Sequence, residues 1–244
     1  MEFTSERVLP REDLWALYQE HLCRYNYAKK YVQNKKVLDA GCGEGYGTDL
    51  LAGFAKDITG VDISDEAVQH ALNKYKRSNL KYLRMDCTKL EFPEETFDAV
   101  ISFEVIEHVN DFRPFLSGVK KVMKKDGLAI ISSPNALYSI RRDLPKHPFH
   151  IKEFEPEEFR QELLKYFSDV KLFGQWDKSF VERLRLAVRK YDVLNIRSKI
   201  LPLLRRMKQL VYGKKQLLMV SAEEFSIEED NCDDAPVLLA VCRK

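Results

Sequence analysis

The chain has 244 residues, of which 45% are hydrophobic and 32% are charged, and its formal net charge is +2. This length suits one α/β domain with an elaboration, and the composition is ordinary for a globular protein. No stretch approaches the ~18 uninterrupted apolar residues of a spanning helix, and we expect no signal peptide at the start. Five cysteines without a Cys-x-x-Cys pair favour reduced thiols over a zinc site, so we expect a cytoplasmic protein.

Apolar runs of strand length alternate with segments of helical periodicity, which is typical of a doubly wound parallel sheet. A first helix is predicted over residues 11–33, ahead of the first strand. The predicted strands are Lys36–Ala40, Asp57–Val61, Leu80–Arg84, Phe97–Phe103, Leu128–Ser133, Val170–Phe173 and Val237–Cys242. Further helices are predicted near residues 46–54, 64–77, 113–124 and 156–166. We therefore expect a seven-stranded sheet in one domain spanning residues 1–244, with residues 1–34 as an N-terminal helical cap.

A basic segment precedes the last strand. Residues 178–215 hold twelve Lys or Arg against Glu182 and Asp192, a local charge of +10, and since the whole chain carries +2, the remainder carries −8. Apolar residues at helical spacing and a break at Pro202 predict two helices, so residues 176–222 are interpreted as a helical basic insertion. Such a segment attracts phosphates or an anionic membrane surface, or serves as a solvated lid or dimer contact.

A glycine-rich turn follows the first strand. Asp39-Ala40-Gly41-Cys42-Gly43-Glu44-Gly45 ends an apolar run and opens a helix, an arrangement that lets backbone N–H groups approach a ligand closely. Tyr46 stands where a dinucleotide fingerprint needs its third glycine, which disfavours an NAD dehydrogenase. The pattern resembles motif I of the class I S-adenosylmethionine (SAM) methyltransferases. That resemblance implies a Rossmann-like fold whose last strand is antiparallel, with Asp39, Gly41, Cys42 and Gly43 near the amino-acid end of SAM.

Later landmarks follow in the order expected for this family. Asp62-Ile63 stands at the tip of the second strand, where a carboxylate can accept hydrogen bonds from both ribose hydroxyls of an adenosine. By resemblance, Asp86-Cys87 after the third strand would meet the adenine, and Glu104 would end the motif of the fourth strand. Taken singly, Asp39 and Asp62 could be helix caps and the glycines a simple turn.

The first predicted helix contains Glu20-His21-Leu22-Cys23-Arg24-Tyr25. In many relatives a segment of this sort closes over SAM, so Arg24 is a candidate clamp for the SAM carboxylate. The alternative is that His21 and Arg24 are surface residues of an amphipathic helix.

Acid–base residues cluster after the fourth and fifth strands. Glu104-Val105-Ile106-Glu107-His108 lies at the carboxyl end of the fourth strand, the edge where open α/β sheets bind ligands. Glu104, Glu107 and His108, with His150 as a fourth ligand, would suit Mg²⁺, Mn²⁺ or Zn²⁺. Two alternatives remain: a metal-free site with His108 or His150 as general base, and a structural role for Glu107 and His108. His147, beside Pro148, is predicted to be a loop residue.

The Glu-x-x-Glu-His motif with a later histidine resembles two families: the ubiquinone-biosynthesis O-methyltransferases and the small-RNA 3′-end 2′-O-methyltransferases. Both use such residues on a divalent cation, and sugar and antibiotic methyltransferases often share the motif. The resemblance implies SAM-dependent methylation of a hydroxyl on a small molecule or glycan, and the basic segment favours an acceptor that is phosphorylated or lipid-linked. The alternatives are an RNA 2′-O-methyltransferase, although Tyr191 and Tyr212 are few aromatic groups for stacking bases within the basic segment, and a SAM-binding scaffold without catalysis.

Overall fold

The computed structural model describes residues 15–178, 221–229 and 232–244. The helices are α1 (Trp15–Val32), α2 (Tyr46–Ala52), α3 (Asp65–Lys74), α4 (Phe112–Val122), α5 (Ala136–Arg141) and α6 (Pro156–Leu164). The strands are β1 (Lys36–Ala40), β2 (Asp57–Asp62), β3 (Leu80–Arg84), β4 (Phe97–Phe103), β5 (Met123–Pro134), β6 (Asp169–Asp177), β7 (Phe225–Glu228) and β8 (Val237–Arg243). Most of the predicted basic insertion, residues 179–220, lies outside the described residues.

The strands form one sheet in the order β3-β2-β1-β4-β5-β8-β6-β7. Strands β1 to β5 pair in parallel, whereas β8 runs antiparallel between β5 and β6. The mostly parallel α/β architecture and the antiparallel last strand confirm the expected fold. The count differs, because the sheet has eight strands rather than seven. The added strand, β7, is a four-residue segment beside an acidic run, too short for its alternation to predict a strand.

Side chains alternate between two cores, one on each face of the sheet. Leu38 and Val100 pack with α4 and α6 on one face. Val37 and Ile101, each one residue away, pack with α1 and α2 on the other face. Strands buried on both sides read as continuous apolar runs, which is why β1, β4 and β5 could be predicted.

Several elements differ from those predicted, in their bounds or in their presence. Helix α3 ends at Lys74 rather than at residue 77, because Tyr75 is already extended. Strand β5 begins at Met123, five residues before the predicted start. Helix α4 accordingly ends at Val122 rather than at residue 124. Helix α5 was not predicted at all, since its six residues include no buried side chain and so carry no helical apolar stripe.

The chain divides into two compact units. The first comprises residues 24–175 and 227–244 of the described chain and contains the cores above. Of the described residues, the second includes 15–23, 176–178 and 221–226, where Lys178 N donates to Glu224 O at 2.7 Å. The expectation of a single domain with a helical cap stays a prediction. Among the described residues, no helix has the length and apolar character needed to span a membrane.

Asn135 fastens the segment that follows β5. It is fully buried, and its Nδ2 donates to the carbonyls of Cys232 and Ala235 at 2.9 and 2.8 Å. Its Oδ1 accepts from Leu137 N at 3.0 Å and caps α5. A bridge joins its backbone to Phe154, so both ends of the segment 136–153 meet at one place.

We expect Asn135→Ala to destabilise the protein by roughly 2–4 kcal/mol, because it removes a helix cap and leaves buried carbonyls without donors. Urea denaturation measures this change in the free energy of unfolding. Asn73→Ala, at an exposed position of α3, is the matched control and should change stability little. Equal stability of the two variants would contradict the role of Asn135.

Candidate functional site

The carboxyl ends of β1, β2 and β4 lie at one edge of the sheet. The parallel register places Asp39 opposite Gly60 on one side and Ile101 on the other. Residues that follow these strands therefore converge, and the predicted cofactor and acid–base motifs all follow β1 to β5. This edge is where parallel α/β sheets form ligand sites.

The turn after β1 has a left-handed backbone at alternate residues. Gly41, Gly43 and Gly45 have φ of 82°, 50° and 80°. A Cβ on Gly41 would lie 2.2 Å from Val105 Cγ2, whereas a Cβ on Gly43 would meet nothing within 4 Å. Gly41 is thus required by close packing against the residue after Glu104, and Gly43 faces open space that a ligand can approach.

Asp39 is a fully buried carboxyl below this turn. Thr48 Oγ1 donates to its Oδ2 at 2.6 Å, and the Tyr25 hydroxyl donates to the same oxygen at 3.3 Å. Burial raises the pKa of Asp39 to about 7, although these two hydrogen bonds act in the opposite direction. A cationic group bound nearby would favour the ionised form, which fits the ammonium of SAM.

Asp62 is oriented by two backbone amides. Gly43 N donates to its Oδ2 and Ser64 N to its Oδ1, each at 2.9 Å. Each carboxylate oxygen can accept a further hydrogen bond, so the arrangement fits the ribose hydroxyls of SAM. The side chain of Ile63 is exposed beside it, which fits the face of an adenine.

Asp86 and Cys87 lie after β3 as predicted. Within the protein, both side chains also have structural contacts. Asp86 Oδ1 accepts from Thr88 N and Thr88 Oγ1, both at 2.8 Å, and so caps a short 3₁₀ turn. Burial raises the pKa of the Cys87 thiol to about 12. Cys42, in the glycine turn, is likewise buried, and burial raises its pKa, so both thiols are neutral packing groups.

Glu104 adopts a left-handed backbone with φ of 55°. Ser132 holds it from β5: Glu104 N donates to Ser132 Oγ at 3.1 Å, and that hydroxyl donates to Glu104 Oε1 at 2.7 Å. A left-handed non-glycine residue costs of order 1 kcal/mol and persists where the surroundings fix it. The strain turns the chain sharply after β4 and brings Val105 against Gly41.

Glu107, His108 and His150 come together as one group. One ligand atom from each lies within 4.8 Å of the others. Glu107 is fully buried, and within the described chain neither of its carboxylate oxygens has a hydrogen-bond partner. Burial, and secondly the charge of Glu104, raise the pKa of Glu107 well above its usual range. A carboxyl in that state needs a proton or a cation, so the three residues fit a divalent metal.

Each of the two histidines has a hydrogen-bond contact at its own Nδ1 atom. His108 Nδ1 lies 3.0 Å from Phe149 O, and His150 Nδ1 lies 2.6 Å from Glu153 Oε1. That hydrogen bond is the main cause of the lowered pKa of Glu153. The His147 ring stacks on the His150 ring with centroids 4.1 Å apart. His147 itself lies in a loop, as predicted.

Arg24 is fully buried, so its interpretation as a surface residue is wrong. Its Nη1 donates to Gln175 Oε1 at 2.7 Å. Its charge also lowers the pKa of Glu107, against the larger effect of burial. Arg24 thus lies on the side of the candidate metal group, and its contact with a SAM carboxylate stays a prediction.

The metal group differs from the predicted set of four ligands. It contains two imidazoles and one carboxylate, and it does not include Glu104, whose Oε1 is engaged by Ser132. Two imidazoles favour a first-row transition ion, Zn²⁺ above Mn²⁺, over Mg²⁺, which prefers oxygen ligands. The role of Glu104 as a ligand stays a prediction.

Several functional partners were missed in the sequence. Thr48, Tyr25, Ser132 and Gln175 are buried polar residues whose partners lie on other elements, and only pairing in space identifies them. Glu153 had a usable signal, because it stands three residues after His150 in a segment already singled out.

Residues 38–131 match the family profile described as a methyltransferase domain. The chain therefore carries a methyltransferase domain. The matched stretch begins in β1 and ends in β5, and so it contains the glycine turn, Asp62 and Glu107. The expected resemblance to the class I SAM-dependent methyltransferases is confirmed.

Relatives of known name agree with this domain. A Mycobacterium tuberculosis protein named "Probable S-adenosylmethionine-dependent methyltransferase" is 34% identical over 179 residues, which are 71% of this chain and 64% of that protein. A ubiquinone biosynthesis O-methyltransferase from Haemophilus ducreyi is 32% identical over 124 residues, 46% of this chain and 52% of that protein. The chain thus spans less than two thirds of the length of these curated relatives.

Solved structures share the fold of the methyltransferase domain. A SAM-dependent methyltransferase from Thermotoga maritima superposes with a TM-score of 0.66 at 18% identity, covering 98% of this chain and 97% of that one. At this identity the likeness shows the fold alone, and the chemistry rests on the residues described above.

We expect Gly41→Ala to weaken S-adenosylhomocysteine binding at least about tenfold, because a left-handed alanine costs ~1–2 kcal/mol and its methyl group displaces Val105. Calorimetric titration measures the affinity, and a cooperative melt shows that the sheet stays folded. Gly118→Ala, in α4 with its nearest neighbour Leu90 at 3.7 Å, is the control. Unchanged affinity in Gly41→Ala would remove the turn from the cofactor site.

The raised pKa of Asp39 predicts a pH-dependent stability. Its protonated form is favoured in the folded state, so this stabilisation is complete below the unfolded pKa and is lost as the pH rises through about 7. Without ligand, the wild type should lose roughly 2–3 kcal/mol more than Asp39→Asn between about pH 5 and 8. Urea denaturation at both pH values measures the difference.

Asp57→Asn, at the exposed first position of β2, controls for the removal of one carboxylate. It should follow the wild-type dependence on pH. If Asp39→Asn also follows the wild type, then Asp39 is ionised throughout this range in the folded protein.

Proposed function

We propose that this protein is a SAM-dependent methyltransferase that methylates a hydroxyl of a small-molecule or glycan acceptor. The observation that carries the proposal is the buried Glu107 carboxyl, grouped with His108 and His150 at the sheet edge that also bears the glycine turn. The contact between Gly41 and Val105 makes this group and the cofactor turn neighbours. Methyl donor and acceptor must meet at such a place.

The reaction is an in-line displacement. The acceptor oxygen attacks the methyl carbon of SAM, a carbon–oxygen bond forms, and the carbon–sulfur bond breaks to release S-adenosylhomocysteine. The hydroxyl proton must leave, and the candidate bases are the Glu107 carboxylate and the imidazoles of His108 and His150. Because Glu107 is fully buried and its pKa is raised, its ionised form is a stronger base than an exposed carboxylate.

A divalent cation fits the same three residues. Glu107, His108 and His150 would hold it, and when bound it would lower the pKa of a coordinated hydroxyl. The negative charge of Glu107 would then be neutralised without a proton, which explains a buried carboxylate lacking hydrogen-bond donors. In the metal-free alternative His108 or His150 is the general base.

The acceptor class rests on weaker support. A relative is named an O-methyltransferase, and the candidate bases suit removal of a proton from a hydroxyl. The phosphorylated or lipid-linked acceptor and the membrane contact were inferred from residues 178–215, nearly all of which lie outside the described residues. RNA methylation and the non-catalytic scaffold stay alternatives, and turnover of any small acceptor would exclude the scaffold.

We expect Mn²⁺ to bind the protein saturated with S-adenosylhomocysteine at least about tenfold more tightly than Mg²⁺, because imidazole nitrogens bind first-row transition ions more strongly than Mg²⁺. Glu107→Gln should abolish that binding, since it removes the only anionic ligand of the group. Isothermal titration of each metal into each protein measures the affinities.

Glu104→Gln is the control, because Glu104 precedes Glu107 by three residues yet its carboxylate accepts from Ser132. It should keep its affinity for Mn²⁺ within a few-fold. Loss in Glu104→Gln alone would restore the predicted ligand and remove Glu107. Absence of binding in the wild type, combined with turnover resistant to chelators, would establish the metal-free alternative.

A further inference from the structure

Glu153 makes the closest contact of the His150 ring. Its Oε1 lies 2.6 Å from His150 Nδ1, and the two side chains are each only 13% exposed. A carboxylate that accepts from an imidazole N–H at this distance forms a strong, charge-assisted hydrogen bond. The contact is therefore far more than an ion pair between solvated surface groups.

The backbone on both sides of Glu153 is fixed. Before it, Ile151 N donates to Glu107 O at 2.8 Å, so the backbone of this segment is bonded to Glu107 of the candidate metal group. After it, Phe154 is fully buried and its carbonyl accepts from Ala136 N at 3.0 Å. Glu153 is thus held between two anchors, and its carboxylate can hold the His150 ring in turn.

We propose that Glu153 is a positioning residue that keeps His150 in the Nδ1–H tautomer and so presents Nε2 as its lone-pair nitrogen to the Glu107 and His108 group. The Nδ1–H donates to Glu153 Oε1, and the alternative tautomer would set a lone pair against a carboxylate. The ring of His147 packs against one face of the His150 imidazole and so restricts the rotation of that ring.

His108 has the corresponding arrangement with a neutral acceptor. Its Nδ1 faces the carbonyl of Phe149 at 3.0 Å, so the same tautomer is favoured there by the backbone. The segment 147–153 thus orients both histidines, one through a main-chain oxygen and one through Glu153. This is the arrangement that outer partners of metal-binding or base histidines need.

This inference rests on the proposed function only for its purpose, because the tautomer of His150 can be observed without metal, SAM or acceptor. Long-range ¹H–¹⁵N spectra distinguish the protonated from the unprotonated ring nitrogen. The chain has five histidines, so the His150 ring can be assigned by its loss in His150→Ala. The spectra are recorded on the full chain at about pH 8, where unperturbed imidazoles are neutral.

We expect the wild type to show the Nδ1–H tautomer at His150 and Glu153→Ala to show mainly Nε2–H, the form that a free imidazole prefers. Glu153→Gln retains an acceptor oxygen and should keep a substantial share of the Nδ1–H form. Glu157→Ala, which removes an exposed carboxylate from α6, should leave the spectrum unchanged. In parallel, Glu153→Ala should lower the affinity for Mn²⁺ or the turnover by about 10–100-fold.

Nε2–H or doubly protonated His150 in the wild type would overturn the inference, and so would an unchanged tautomer in Glu153→Ala. The wild-type spectrum decides the tautomer even if a variant fails to fold. If the tautomer responds as expected while no metal binds and no acceptor turns over, the positioning role stands and the proposed function fails.

Discussion

The turn after β1 is the constraint on which the rest of the site depends. Its backbone is left-handed at all three glycines, which stand at alternate positions, and at Gly41 there is no room for even one methyl group beside Val105. That close approach joins two loops that are separated by more than sixty residues of sequence. One loop orients Asp62 through the amide of Gly43, and the other carries Glu107 and His108. A single packing contact therefore sets the distance between the cofactor region and the acid–base residues.

Two buried carboxyls give the site its electrostatic character. Asp39 and Glu107 both have raised pKa values because burial penalises their charged forms, and each lies beside a different part of the proposed reaction. Asp39 accepts hydrogen bonds from two hydroxyl donors, whereas no side chain among the described residues donates to Glu107. The first carboxyl therefore has hydrogen-bond partners without a ligand. The second carboxyl gains a partner when a cation or an acceptor binds. That binding would offset the free-energy cost of burying the Glu107 carboxylate.

The sequence predicted the parts of this protein that repeat a local pattern. Strands buried on both faces, the glycine turn and the order of the acidic residues all follow from short windows, and so the fold and the sheet edge could be predicted. Helix α5 and strand β7 could not, because neither has a periodic buried face. The hydrogen bonds between Glu104 and Ser132 also could not be predicted, since Ser132 lies in another strand. Spacing along the chain identified candidate residues, but the partners of each depend on contacts across the sheet.

The bridge between Asn135 and Phe154 has a consequence for how such a protein can change. It makes the intervening segment a closed excursion whose base is fastened independently of its contents. The histidines and Glu153 occupy the returning limb, while residues 143–146 at the tip are exposed. Because lengthening a closed loop costs little extra entropy, the tip can be exchanged or enlarged while the base holds the reactive groups in place. Changes at the tip can therefore alter which acceptor is recognised while the residues at the base keep their positions. The tip is the place to introduce a new acceptor specificity.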